Sequence, residues 1–338
     1  MRMGKRVAIL GATGVVGRQM MQCLEERSFP VDELLPLASA RSAGKALRFC
    51  GEDVAVREAT PEAFDGVDIV LGAADDKTAA ELLPQAAERG AVCVDNSHAF
   101  RLESDVPLVI PEINAEDIAH HPRNIIANPN CATIIGLVPT WPLHQVAGLK
   151  RLIVSTYQAA SGAGKAGLTE LERETKVLAE GGEMGDTSPF AYQLAANLIP
   201  QIGSFKEEGY TSEEWKMQNE GRKIMHLSKV RVSCTCVRVP VMRSHSESIT
   251  AEFEHPITVE EARIALTGAP GVKVVDDPAN LRYPMPLETS DQDLVYVGRI
   301  RRDLSAPDGV SSLTYWCCGD QIRKGAATNA VQIAEHLL

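Results

Sequence analysis

The run Asn128-Pro129-Asn130-Cys131-Ala132-Thr133 carries the clearest chemical signal in the chain. It follows a strand-like apolar segment, and the apolar Ile134-Ile135 after it predict a helix that begins near Cys131. A thiol at a helix N-terminus ionises more readily than a free one, and the thiolate is the nucleophile. Its attack on a carbonyl would create an oxyanion that needs donors; the Cys131 N–H and Asn130 stand nearest in sequence. The other seven cysteines look inert. Cys234 and Cys236 alternate within one β-rich segment and Cys317-Cys318 end another, as small buried hydrophobes do, and Cys23, Cys50 and Cys93 have no comparable turn. None of the eight forms a C-x-x-C pair, so no metal site is expected.

Three further groups invite chemistry. Arg238 shares strand parity with Val232, Cys234 and Cys236, so it points inward and must be paired there, because an unpaired buried charge is costly. His245 follows it by seven residues, in the expected turn before the next strand. Glu220 and Lys223 are three apart on a predicted helix and share a face; a carboxylate beside an ammonium suits a zwitterionic substrate or an ordinary surface pair. At the start of the chain, Gly11-Ala12-Thr13-Gly14-Val15-Val16-Gly17 stands between a strand and a helix. Glycines there let the backbone approach a pyrophosphate, and the helix N-terminus supplies N–H groups and a positive dipole end. The next strand ends in Ser39-Ala40-Arg41-Ser42-Ala43-Gly44-Lys45, with no carboxylate for ribose hydroxyls. Hydroxyls and cations suit a 2′-phosphate, so NADP is the expected cofactor.

The elements that must position these groups fall into two patterns. Strands expected at residues 6–10, 34–38, 68–73, 92–95 and 124–127 alternate with helices at 15–26 and 79–88, which predicts a Rossmann-type, doubly wound parallel sheet. After residue 130 come longer β-rich segments at 230–241, 248–254, 295–301 and 311–318, which predict an α+β domain with an open mixed sheet. Thr211 and Glu214 have capping-box spacing for a helix reaching about residue 225, and residues 324–338 read as an Ala-rich helix. The fold class is therefore α/β, with a nucleotide domain of residues 1–130 plus 320–338 and a catalytic domain of residues 131–319. With 338 residues the chain is too long for one core, and a net charge of −11 argues against nucleic acid or a membrane surface as partner. Residues 134–143, the most apolar stretch, are interrupted by Pro139 and Pro142, and residues 7–10 are too short for a signal-peptide core; the expected location is cytoplasmic.

The chain resembles the aspartate-β-semialdehyde dehydrogenase family in ordered blocks over almost its whole length. They include Gly11–Gly17, Asp95–Arg101, Val106–Asn114, Asn128–Thr133, Ser155–Gly164, Gly209–Met217, Val237–Glu247 and Arg323–Glu335. The resemblance implies that β-aspartyl phosphate and NADPH give aspartate-β-semialdehyde, NADP and phosphate through a thioester at Cys131, in the biosynthesis of lysine, threonine, methionine and diaminopimelate. It implies Gln158 orienting the substrate, His245 as general acid/base, Arg238 on the substrate α-carboxylate, Glu220 on its α-amino group, and Arg101 and Lys223 on the phosphate. It also implies Ser161, Gly162 and Gln321 at the cofactor, and a homodimer built on the second domain. The sequence departs from the family at Ala132, Ile135, Gln321 and Ala73-Ala74-Asp75-Asp76, all near the expected cofactor. Two rival readings are an N-acetylglutamyl-phosphate reductase, against which Glu220 argues, and a silent scaffold, against which the retained Cys131 and His245 argue.

Overall fold

A computed structural model describes residues 4–338, and these divide into two compact units. The first runs to Asn130 and regains the chain at Ala326–Leu338; the second is Cys131–Gly325. The returning segment of the first unit thus begins at residue 326, where residue 320 was expected, because Asp320 ties its segment to the second unit. Its carboxylate accepts the Ile322 and Arg323 N–H groups and pairs with Arg243.

The first unit contains β1 (Lys5–Leu10), β2 (Val31–Ala38), a hairpin of β3 (Ala46–Phe49) and β4 (Glu52–Ala55), then β5 (Arg57–Glu58), β6 (Ile69–Gly72), β7 (Val92–Asp95) and β8 (Ile125–Ala127). Six of these form one parallel sheet in the order β5-β2-β1-β6-β7-β8. Counting only its own strands, that order is 3-2-1-4-5-6, the dinucleotide-binding arrangement, with its switch point between β1 and β6. Near-continuous apolar runs such as Val7–Leu10 and Ile69–Leu71 are buried on both faces, as parallel strands are. Helices α1 (Val15–Glu26), α2 (Asp76–Glu88), α3 (Pro111–Asn114) and the C-terminal α9 (Thr328–Glu335) cover it. Met20, Cys23 and Leu24 of α1 join Val331 and Ala334 of α9 in one core cluster, so the last helix closes this unit. A π-helical turn over Arg323–Ala327 precedes α9 in place of the single helix expected.

The second unit is a mixed six-stranded sheet in the order β10-β9-β11-β14-β13-β12. Its strands are β9 (Leu149–Gln158), β10 (Arg231–Arg238), β11 (His245–Phe253), β12 (Val272–Val274), β13 (Val295–Arg302) and β14 (Ser311–Gly319). Helices α4 (Cys131–Ala147), α6 (Ser212–Ile224) and α7 (Val259–Thr267) pack against it, while α5 (Gly164–Glu180) and the short α8 (Pro286–Thr289) fill connections. The expected mixed sheet is present. Residues 149–158, to which the sequence reading gave no element, form the long strand β9, the parallel partner of β10.

The helix α4 runs through both prolines that were expected to interrupt it. Pro139 cannot donate to the Ile135 carbonyl, which costs a helix one bond. The Cys317 Sγ takes up that carbonyl at 3.7 Å, and the Thr140 hydroxyl takes the Gly136 carbonyl at 2.6 Å. Nearly the whole of α4 is buried, so tertiary packing overrides the local propensity. Among the described residues no helix is long and apolar enough to cross a membrane.

Candidate active site

The nucleotide side is built from main chain. Gly11 leaves β1 at φ +89°, a left-handed conformation that a side chain resists, and a Cβ there would lie 2.5 Å from the Ala73 carbonyl oxygen. A Cβ on Gly17 would lie 2.4 Å from the Gly11 oxygen, so the first turn of α1 can pack this closely only on glycine. Gly14 is the N-cap of α1 and has no side chain to cap it, and Val15, Val16 and Gly17 bring no acid into the first turn. The helix start is left as a positive end for an anion. A cleft of about 510 Å³ opens here at the carboxyl ends of β1, β2 and β6, lined by Gly11, Thr13, Gly14, Ser39, Ala73 and Ala74, among others. Directly after β2, Ser39 is the N-cap of a one-turn helix, Ala40–Ser42, with Ser39 and Arg41 exposed. The backbone cradle and the absence of a carboxylate at the end of β2 fit a dinucleotide. Asp75, one of the expected departures, is accounted for as the α2 N-cap: it accepts the Thr78 N–H, which lowers its pKa.

The second unit brings the catalytic candidates together. Cys131 is the first residue of α4, and its Sγ lies 3.4 Å from His245 Nε2. His245 is fully buried and is the first residue of β11, not part of the preceding turn. The turn before it sets its aim. Ser244 sits at φ +74°, a strained value for serine, and its N–H is held by Gln321 Oε1 at 2.8 Å. The other end of the Gln321 amide bonds the Ser161 hydroxyl. The Ala159 N–H donates to His245 Nδ1 at 3.1 Å. A backbone N–H only donates, so the neutral ring carries its proton on Nε2, toward the sulfur. Burial, reinforced by the Arg238 charge and opposed by Glu213, pushes the ring down to about 3. It stays neutral at physiological pH.

Arg238 is buried at the end of β10, as its parity predicts, and its Nη1 donates to the Ala159 carbonyl at 2.6 Å. Burial lowers its pKa while Glu213 and Cys131 hold the charge in place. Glycine at 162 leaves room for Arg238 and His245: a Cβ would fall 2.7 Å from Arg238 Nη1 and 3.2 Å from His245 Cε1. Gln158 ends β9 beside them, its Nε2 3.4 Å from His245 Nε2. Both nitrogens bear protons in this arrangement, so ring and amide stand side by side as two donors, the provision a developing oxyanion needs.

Two residues of this cluster escaped the sequence reading. Glu213, in the first turn of α6, accepts from Gln158 Nε2 at 3.2 Å and Lys216 Nζ at 2.8 Å. Gly325 leaves room for Cys131, since a Cβ there would lie 3.0 Å from the Cys131 Cβ. Glu213 had a weak signal, an acid just inside a capping box; Gly325 had none. The capping box itself is present, with Thr211 and Glu214 each closing on the other's backbone. Glu220 and Lys223 lie farther along α6, Glu220 fully buried and Lys223 partly so. In the first unit Asn130 is buried, and Arg101 donates to the backbone carbonyls of Asn128 at 3.0 Å and Asn96 at 2.9 Å.

Each of these two units matches known proteins. A family model described as the NAD binding domain of semialdehyde dehydrogenase matches residues 6–121, and one described as its dimerisation domain matches residues 141–324. The chain belongs to the semialdehyde dehydrogenase family. It is 52% identical to an aspartate-semialdehyde dehydrogenase of Aquifex aeolicus, over 99% of this chain and 98% of that one. The Bacillus subtilis enzyme of the same name is 45% identical, over 99% and 97%. Among solved structures, aspartate semialdehyde dehydrogenase II of Vibrio cholerae in complex with ASA aligns with a TM-score of 0.95 at 44% identity, covering 99% of this chain and 98% of that one. A Candida albicans aspartate semialdehyde dehydrogenase with NADP aligns at 0.76 and 26%, covering 99% and 98%. The semialdehyde dehydrogenase fold therefore spans the chain from end to end, with a nucleotide-binding unit and a dimerisation unit.

Proposed function

We propose that the chain interconverts aspartate-β-semialdehyde plus phosphate with β-aspartyl phosphate, using NADP, through a thioester on Cys131. The observation that carries this reading is the 3.4 Å approach of the Cys131 sulfur to the protonated nitrogen of His245, at the start of a buried helix. The α4 N-terminus and the Arg238 charge favour the sulfur anion. That anion adds to the aldehyde carbon. His245 Nε2–H and the Gln158 amide donate to the oxyanion that forms. Bound NADP would supply the acceptor for the hydride that leaves this adduct. Cys131 is then an acyl thioester, and a phosphate oxygen attacks its carbonyl carbon. The C–S bond breaks, acyl phosphate leaves and the thiolate returns. As the proposed general acid/base, His245 lends its Nε2 proton to the oxyanion and takes it back as the adduct collapses.

Arg238 is proposed for the substrate α-carboxylate, Glu220 for its α-amino group, and Arg101 and Lys223 for phosphate. Gly11 to Gly17 would hold the pyrophosphate, with Ser39, Arg41 and Ser42 on a 2′-phosphate. Ser161, Gly162 and Gln321 are proposed at the cofactor. None of the eight cysteines is in a disulfide, which suits a reducing cytoplasm, and a homodimer formed through the second unit suits the matched dimerisation domain.

The test is NADP reduction by the purified protein with aspartate-β-semialdehyde, with and without phosphate, beside N-acetylglutamate semialdehyde. The expected result is phosphate-dependent reduction with the first substrate alone. Preference for the acetylated substrate would transfer the reading to an N-acetylglutamyl-phosphate reductase.

A further inference from the structure

An amide side chain can present either of two edges, and the edge Gln158 presents decides whether it offers an oxyanion a proton or a lone pair. On its oxygen side, Gln158 Oε1 lies 3.0 Å from the Thr156 hydroxyl. A hydroxyl both gives and accepts, so Thr156 is compatible with either edge. On its nitrogen side, Nε2 lies 3.2 Å from Glu213 Oε1. An ionised carboxylate only accepts, so Glu213 permits the N–H edge and rejects the oxygen edge.

The surroundings of Glu213 favour its carboxylate form. It is 8% exposed, at the second residue of α6, where the helix dipole favours an anion. Its second oxygen pairs with Lys216 Nζ at 2.8 Å. Thr211 and Glu214 anchor the first turn of α6 through the capping box, and the other oxygen of Glu214 accepts the Cys236 N–H of β10 at 3.0 Å. Glu213 is thereby fixed over the end of the sheet where Gln158 and His245 meet.

We propose that Glu213 is a positioning residue: its carboxylate locks the Gln158 amide with the N–H edge toward His245 and so makes Gln158 a hydrogen-bond donor to the reacting oxygen. This rests on the reaction proposed above. Gln158 touches the substrate oxygen; Glu213 acts through it.

The test is a double-mutant cycle in the full-length enzyme with Gln158→Ala, Glu213→Met and the pair, with Glu213→Gln and Thr156→Val as milder variants. Removing an oxyanion donor typically costs on the order of a hundredfold in kcat, so Glu213→Met should approach that loss while KM for the semialdehyde moves less than about threefold. Glu213→Gln, which can still turn an oxygen toward Gln158, should lose about tenfold or less. Thr156→Val should stay within about twofold. Added to Gln158→Ala, Glu213→Met should cost almost nothing more. Losses that multiply in the pair, or kcat for Glu213→Met within about twofold of wild type, would overturn the proposal.

A second readout needs no turnover. The Gln158 side-chain amide signal in a nitrogen–proton spectrum, identified by its loss in Gln158→Ala, should move toward the position of a free amide in Glu213→Met. A wild type inactive on the semialdehyde sinks the proposed reaction, while an unmoved amide signal sinks the role of Glu213.

Discussion

The nucleotide cradle and the thiol cluster are built by opposite means. The cradle is almost all main chain, drawn from one contiguous run, Gly11 to Gly17, and its specificity lies in what is missing: side chains at two glycines and an acid in the first helical turn. The thiol cluster is all side chain, gathered from positions 131, 158, 213, 238 and 245, and each member is held by an element distant in sequence. A main-chain site fails when something is added. A side-chain site fails when something is removed.

The largest effect should come from removal. Cys131→Ala deletes the proposed nucleophile, and turnover should fall by about 10⁴-fold or more, with nucleotide binding by fluorescence titration unchanged. Measurable semialdehyde oxidation in that variant would place the nucleophile elsewhere. Addition should come next. Gly17→Ala forces a methyl group to 2.4 Å from a backbone oxygen, so α1 must shift. Nucleotide affinity should drop by about a hundredfold, while Cys131 alkylation by iodoacetamide keeps its wild-type rate. Slowed alkylation would show that the two regions are not separable. Arg41→Ala tests the edge of the cradle. Loss of one charge-assisted contact should raise KM for NADP about tenfold and leave KM for NAD unchanged. Equal effects on the two cofactors would remove Arg41 from the 2′-phosphate.

The smallest effect sharpens the contrast inside β11, where two buried groups two residues apart titrate with opposite signs. His245 is lowered from 6.5 to about 3, so the unfolded chain takes up a proton first and stability is lost as pH falls below 6.5 toward 3. Glu247 has neither oxygen bonded to a protein group, and burial, then Cys236 and Glu213, raises it well above 4.5. For this acid the unfolded chain releases a proton first, so stability is lost as pH rises above 4.5. Glu247→Gln, which mimics the protonated acid, should raise the unfolding temperature by a few degrees at pH 8 and by less at pH 5. A variant destabilised more at pH 8 than at pH 5 would show that Glu247 is ionised and paired in the folded chain.

The same contrast explains what was legible beforehand. The glycine loop, the α1 limits at residues 15 and 26, the α6 capping box and the helix starting at Cys131 depend on neighbours in the chain, and each could be read there. Arg238 was legible as buried because strand parity is local. His245 was misplaced by one element because the turn before β11 is held by Gln321, which lies 77 residues away from Ser244. Pro139 looked like a helix breaker because the sulfur that takes up its orphaned carbonyl comes from β14. The strand β9 lacks a strict alternation, and its place beside β10 is fixed only by the sheet. Glu213 and Gly325 matter through what they touch, Gln158 and Cys131, and neither partner adjoins them in sequence.

The central claim is that Cys131 carries the acyl group. The direct measurement is mass spectrometry of the enzyme quenched after mixing with aspartate-β-semialdehyde and NADP in the absence of phosphate. An aspartyl adduct on the peptide that contains Cys131, labile to hydroxylamine and lost on addition of phosphate, is the predicted result. An adduct on any other residue, or full reduction of NADP with Cys131 never acylated, would contradict it.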